Sequence, residues 1–310
     1  MEAKMTYESG RNRRGADRPR HVAALIAVLG MMSVGGQATA NDSEGGEEAE
    51  VEVVLRSELE FQPLNPARGD AAPQAGVLWG DIRKDVPSGV LLKFAPGFSS
   101  PPHIHNITYR AVVISGALYN GDENAAKMWM GPGSYWNQPA GETHITAASP
   151  ETGATAFLEI LDGPYLVQPT GLAFDNGERP VNLEAGNVVW LDSSDVTWVD
   201  IVDGATAVAG IKIAFLWGEP ENGKMNGTFL RLPDGFNGTL QGNGAQLRAA
   251  TITGTTIHSV DGKTETGQLE PGSYFGSRGA TAHQISCEAE SNCIIYVRTE
   301  GKYVVRAETK

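Results

Sequence analysis

Along most of this chain apolar and polar positions alternate with a period of two, in short runs rich in Val, Ile, Thr and aromatics. The clearest are "GVLLKFAP" (89–96), "RAVVISGALY" (110–119), "TAFLEILDG" (155–163), "GTFLRLP" (227–233) and "NCIIYVRTEG" (292–301). Period two is the mark of strands, because successive side chains leave a strand on opposite faces. Gly, Pro, Asn and Asp separate the runs and supply turn geometry. No stretch of helical period is long enough to compete. Many short strands at regular spacing predict an all-β sandwich or barrel, and jelly rolls close such sheets without leaving long edges.

The pattern is written twice. "LWGD" (78–81) recurs as "LWGE" (216–219), a shift of 138, and the register then holds: Gly89 falls on Gly227, Gly97 on Gly235 and Arg110 on Arg248, so that "YRAVVISG" matches "LRAATITG". One residue later, at a shift of 139, "GPGSYW" (131–136) meets "EPGSYF" (270–275) and His144 meets His283. An internal duplication of this kind predicts two like units. The first is expected over 53–170 and the second over 192–310. Between them, "GLAFDNGERPVNLEAGNVVWL" (171–191) mixes apolar and turn residues as a packed connector does, not a floppy linker.

Residues 1–40 stand apart from this scheme. Arg11, Arg13, Arg14, Arg18 and Arg20 precede the apolar run "VAALIAVLGMMSV", and Ala38-Thr39-Ala40 offers a small-x-small cleavage site, so an export signal is expected. The apolar run is short for a membrane span, and no stable span is expected after its removal. Taking 1–40 away removes six Lys and Arg from 24 and three Asp and Glu from 37, which leaves 18 against 34, a net −16. Such a charge argues against nucleic acid as a partner. Part of it lies in "NDSEGGEEAE", within an acidic leader expected to be disordered over 41–52. Export to the bacterial periplasm or the medium is the expected destination. In an oxidising compartment the two cysteines, Cys287 and Cys293, would close a hairpin disulfide across "EAESN". The Cys-x-x-Cys spacing of thiol chemistry is missing, as are local partners for a cysteine metal site.

The candidate chemistry sits in the first copy. In "GFSSPPHIHNITYRAVVISG" (97–116), His103 and His105 lie two apart on a strand, pointing the same way with ring nitrogens close enough to share one ion. Two solvated histidines are the plain alternative. Downstream, "GSYWNQPAGETHITAA" (133–148) carries Pro139-x-Gly141 and then His144. The Gly97, His103, His105, Tyr109, Gly116 spacing, followed by Gly133, Pro139, Gly141 and His144, resembles the two signature motifs of the cupin superfamily. The resemblance covers both copies, so the chain looks like a bicupin: two tandem jelly-roll barrels. It is most similar to an uncharacterised bicupin family bearing a domain-of-unknown-function label. The resemblance implies that His103, His105 and His144 bind a metal inside the first barrel. Where the family usually places a glutamate ligand stands Tyr109, and where its second motif ends in asparagine stands Ala148. Three neutral imidazoles would leave a divalent ion its full charge and open positions. Tyr109, on the same strand face as His105, is placed to hydrogen-bond what the metal holds.

The second copy has Gln241, Asn243 and Leu247 where the first has His103, His105 and Tyr109, and keeps only His283. It is expected to be structural or a metal-free pocket, with His258 on a surface turn. Around the first site, Trp136 and Gln138 are candidates for a substrate pocket. Glu159, in "AFLEIL", is a candidate base if its strand face points inward. A formal glycosylation acceptor, Asn106-x-Thr108, falls inside the metal motif, which suits a bacterial exported protein.

The functional expectation is a metalloenzyme holding one divalent transition metal. Fe(II) is favoured for dioxygenase-like chemistry on a small molecule, as in the thiol and diketone dioxygenases among cupins; Zn(II), Mn(II) or Ni(II) would support hydrolytic, isomerase or lyase chemistry. A non-catalytic cupin that binds or senses a small ligand, or a purely structural bicupin, are the alternatives. Exposed sheet edges leave room for a homodimer.

Overall fold

The computed structural model describes residues 51–202, 210–244, 246–260, 267–288 and 292–308. The expected export signal and leader residues 41–50 lie outside them. Strands dominate, and short 3₁₀ turns are the only helical elements among the described residues. Two seven-stranded sheets carry the structure, with the same order in each copy. In the first, Val181–Leu183, Tyr135–Gln138, Tyr109–Gly116, Ala154–Ile160, Ser88–Phe94, Gln74–Trp79 and Gln62–Pro63 lie side by side. In the second, the order is Val51–Val54, Tyr274–Arg278, Gln246–Thr253, Cys293–Glu300, Met225–Leu232, Lys212–Gly218 and Leu191–Asp192.

The outermost strands are exchanged. Val51–Val54, which precedes the first barrel in sequence, pairs antiparallel with Tyr274–Arg278 of the second. Val181–Leu183, from the connector, pairs with Tyr135–Gln138 of the first. Two expectations are corrected by this. Val51 and Glu52 do not belong to the disordered leader expected over 41–52, because both stand in a strand, with Glu52 tied to Arg248 at 3.1 Å and accepting from the Tyr274 hydroxyl at 3.0 Å. The barrels likewise do not divide at 170 and 192, since each sheet borrows a strand from outside its own segment.

Each large sheet is covered on both faces, which explains why its strands read as nearly continuous apolar runs. Every residue of Ala154–Ile160 is buried. Ala156, Leu158 and Ile160 enter the interior of the first barrel with Val90, Leu92 and Val113. Phe157 faces the other way, into a core made by both barrels with Trp79, Tyr135, Phe229, Tyr274 and Tyr296. The conserved register of the repeat has its cause here. Trp79 lies across Gly89 and Trp217 across Gly227, their register partners, and a Cβ at either glycine would overlap the indole. Each indole is also covered by an arginine of the opposite copy: Arg110 lies over Trp217 at 3.9 Å and Arg248 over Trp79 at 5.0 Å.

Glu159 belongs to this shared face and not to the first barrel's interior, which corrects its candidacy as a catalytic base. It shares the parity of Phe157. Its carboxylate is wholly buried, accepts a short hydrogen bond from the Tyr296 hydroxyl, and pairs with Arg298 at 3.5 Å. At the 139-residue shift, Glu159 and Arg298 are equivalent positions, so the repeat has placed opposite charges at matching sites. The disulfide between Cys287 and Cys293 joins two strands of the second barrel across the loop after Cys287.

Removing one member of a buried pair strands the other charge in a low-dielectric core. Glu159→Ala should therefore lower unfolding free energy by about 3–5 kcal/mol in urea titration, whereas Glu159→Leu/Arg298→Met should recover most of the loss.

Candidate metal centre

One strand parity and one cross-strand pair build the site. His103 and His105 stand two apart, on one face. His103 lies opposite His144, exchanging both backbone hydrogen bonds with it at 3.0 Å, so that this third imidazole joins the same face. All three are buried, and their ligating nitrogens lie within 4.8 Å of one another, the one such group of three found among the described residues.

The hydrogen bonds fix which nitrogen is available. The Nδ1 atoms of His103, His105 and His144 lie 2.8, 3.1 and 3.2 Å from the carbonyl oxygens of Pro101, Leu166 and Glu142. A carbonyl only accepts, so each Nδ1 carries the proton and each Nε2 keeps its lone pair. The Nε2 atoms of His103 and His105 are 3.2 Å apart. Two lone pairs facing at that distance repel, and a cation between them reverses the sign. Metal–imidazole bonds of about 2.0–2.1 Å suit such a separation. The backbone carbonyls do the orienting work that carboxylates often do for metal-bound histidines. The donor set therefore fits a transition metal.

Burial holds these rings neutral. It lowers His105 well below its ordinary value, with the neighbouring imidazoles adding to the effect, and brings His144 to about 3. His103 is lowered too, again by burial. A neutral imidazole is the form that binds metal.

Two phenols flank the triad. Tyr109, expected beside the metal, donates to Asn120 Oδ1 at 3.2 Å and lies 3.4 Å from His144 Nε2. Burial pushes its pKa up to about 12, so it is a hydrogen-bonding phenol rather than a phenolate. Tyr165 was not foreseen from the sequence: its ring stacks on His105 at 4.3 Å and its hydroxyl lies 3.1 Å from His105 Nε2. It falls outside both motifs, and no periodicity marks it. Its segment is locked beside the first motif by Asn106, which donates to Pro164 O at 2.9 Å and accepts from the Leu166 amide at 2.8 Å. The amide of the formal glycosylation acceptor is thus occupied in holding the site.

A cavity of about 400 Å³ opens onto His103, His105, Tyr109 and Tyr165, walled by Phe94, Phe98, Leu92, Leu158 and Trp136. Trp136 is both pocket wall and core, edge-on to Tyr109. Gln138 is corrected as a pocket residue: it does not line the cavity, but accepts from Asn120 Nδ2 at 2.7 Å and donates to Glu142 O at 3.1 Å, which steadies Asn120 under Tyr109.

The second barrel lacks the triad. Gln241 donates to Ala280 O at 2.6 Å, and Leu247 is core. His258 is not on the surface as expected but fully buried, with Nε2 2.9 Å from His283 Nδ1; His283 Nε2 lies 2.9 Å from Ser277 Oγ. The nitrogen matching His144's ligating atom is therefore already hydrogen-bonded within the core. Burial lowers these rings to about 4 and about 3.

Tandem jelly-roll barrels with one inward triad define a bicupin. The chain belongs to the domain-of-unknown-function family DUF4437, which it matches over residues 52–306. No curated protein matches it. Among solved structures it is similar to a candidate dioxygenase from Nostoc punctiforme PCC 73102, at 15% identity and a TM-score of 0.53, covering 81% of this chain and 80% of that one. It is also similar to a tryptophan-to-phenylalanine variant of oxalate decarboxylase from Bacillus subtilis, at 14% identity and a TM-score of 0.50, covering 84% and 80%. At such identities the likeness concerns the fold.

The buried neutral rings make the metal-free protein acid-sensitive. Below the ordinary histidine value of 6.5 the unfolded chain takes up protons at His105 and His144 that the folded chain refuses. Stability should be complete above that pH and fall as it drops toward 3, by about 1.4 kcal/mol per pH unit for each refused proton. Urea midpoints at pH 7 and pH 5 should show a steeper loss for the metal-free wild type than for His144→Gln.

Proposed function

We propose that this protein is a mononuclear metalloenzyme of the cupin type, with His103, His105 and His144 holding one divalent transition metal and a small molecule as substrate. The observation that carries this reading is the convergence of three Nε2 lone pairs, each set by a backbone carbonyl on the opposite nitrogen. Fe(II) is the favoured ion, with Zn(II), Mn(II) and Ni(II) as alternatives. Bound there, iron would activate O₂ toward the substrate, which is itself the compound oxidised and the source of the electrons that reduce the oxygen.

The surrounding residues favour oxidative over acid–base chemistry. Among the described residues no Asp or Glu lines the cavity, so a hydrolase or lyase mechanism finds no carboxylate base there. Tyr109 and Tyr165 are placed to donate hydrogen bonds to an oxygen held beside the triad, and Phe94, Phe98 and Trp136 exclude water from it. The missing base is also what a non-catalytic binding cupin would show, and that is the second reading. We place the protein in the periplasm or outside the cell. The arginine-rich, apolar N-terminal segment and the Cys287–Cys293 bond support this.

Protein purified without chelators should carry about one equivalent of metal by plasma mass spectrometry, as a single three-histidine site implies. His103→Ala/His105→Ala should carry none. With iron loaded, oxygen uptake on addition of candidate substrates identifies an enzyme; stoichiometric metal without turnover on any of them favours the binding cupin.

A further inference from the structure

Resting on the metal reading, we infer that the cavity selects an organic monoanion with an apolar body, and that Arg68 is the residue that recruits it. Three features carry this.

The first is the sign of the charge inside. In a chain with 37 acidic residues against 24 basic ones, the cavity wall contains no carboxylate and two arginines, Arg68 and Arg83. The donor set is three neutral imidazoles, with two phenols beside them. A divalent ion there keeps its full positive charge, and nothing in the wall offsets it. An anionic group on the occupant is the missing partner.

The second is the shape and polarity of the remaining space. At about 400 Å³ the cavity falls in the lower part of the range for small-molecule sites, about 300–1,000 Å³. Away from the histidines its wall is largely apolar: Leu92, Phe94, Phe98, Trp136 and Leu158. Phe98 packs on Phe94 at 5.4 Å, giving a continuous aromatic wall. A small dianion without an apolar body would leave that wall against water. One anionic end and an aromatic or branched aliphatic body satisfy both regions.

The third is the difference between the two arginines. Arg83 is already committed to Asp81, at 3.0 Å, and Lys84 shares the same carboxylate at 3.4 Å. Arg68 has no ion-pair partner among the described residues. Its guanidinium lies 5.9 Å from the centre of the Phe98 ring, on an exposed 3₁₀ turn whose start is capped by Asn65 accepting from the Ala67 amide at 3.0 Å. An uncommitted cation at the entrance raises the local concentration of anions on a protein whose net charge repels them.

The test uses the full chain loaded with Co(II), titrated with phenylacetate, with its neutral isostere phenylacetamide, and with oxalate. Binding is read from the visible absorption of cobalt and by calorimetry. Phenylacetate should bind about tenfold or more tighter than phenylacetamide, as a charge-assisted contact implies, should weaken as salt rises, and should bind tighter than oxalate, which has no apolar body to cover the wall. Arg68→Gln, on an exposed turn that does not support the core, should weaken phenylacetate about tenfold, flatten its salt dependence, and leave phenylacetamide unchanged. Equal binding of acid and amide overturns anion selection. Tighter binding of oxalate overturns the apolar body, and an unchanged Arg68→Gln variant overturns the role of Arg68. Failure to take up cobalt, or equal uptake by His103→Ala/His105→Ala, refutes the metal reading itself and the inference with it.

Discussion

The two barrels are held by an interface that each makes with the same surface, and the rest of the molecule depends on it. Trp79 and Trp217 lie flat on glycines of their own sheets and each receives an arginine from the other copy. Such reciprocity is what two identical barrels would make across a two-fold axis. Yet Glu159 and Arg298 break the identity where it matters most. A pair of identical barrels would bury two like charges there, whereas this chain buries one of each. Complementarity of that kind requires two copies free to differ. It also accounts for the apolar character of the central strands, which have a core on both sides.

That same difference between copies is visible in the interiors. The first barrel keeps three imidazoles whose lone pairs converge, at a cost in mutual repulsion that an ion would relieve. The second barrel has closed its interior: the histidine that matches His144 is hydrogen-bonded to His258 and Ser277. One copy keeps the candidate metal site, and both make the interface.

Much of this was legible in the chain. His103 and His105 were legible by parity, since simple alternation puts them on one strand face, and His144 joined them only through the resemblance of the motifs to those of cupins. The all-β class followed from the runs and the duplication from self-comparison. Glu159 could not be placed, since a strand buried on both faces has no polar alternation to reveal which side points where. Tyr165 and Arg68 lie outside the motifs and reach the site only through the path of the chain. His258, read as a turn residue, stands in the strand Thr256–Val260 facing inward. The exchange of edge strands was equally hidden: Glu52 and Tyr274 are 222 residues apart, and nothing local in "VEVV" says which sheet it will join.

That exchange gives the chain an order of assembly. Val51–Val54 is the first described strand, yet its partner strand, Tyr274–Arg278, follows it by more than two hundred residues, with Glu52 and Tyr274 222 apart. The first barrel in turn waits for Val181–Leu183 before its sheet is complete. Once Leu183 is made, every strand of the first large sheet is present, so the first barrel can form early, as domains commonly fold one after another from the N-terminus. Val51–Val54 must stay unpaired until Tyr274–Arg278 has been made, with an open edge that can join other chains. A chain stopped short of Tyr274 would hold one large sheet with all its strands and, ahead of it, a strand with no partner, free to pair with another molecule.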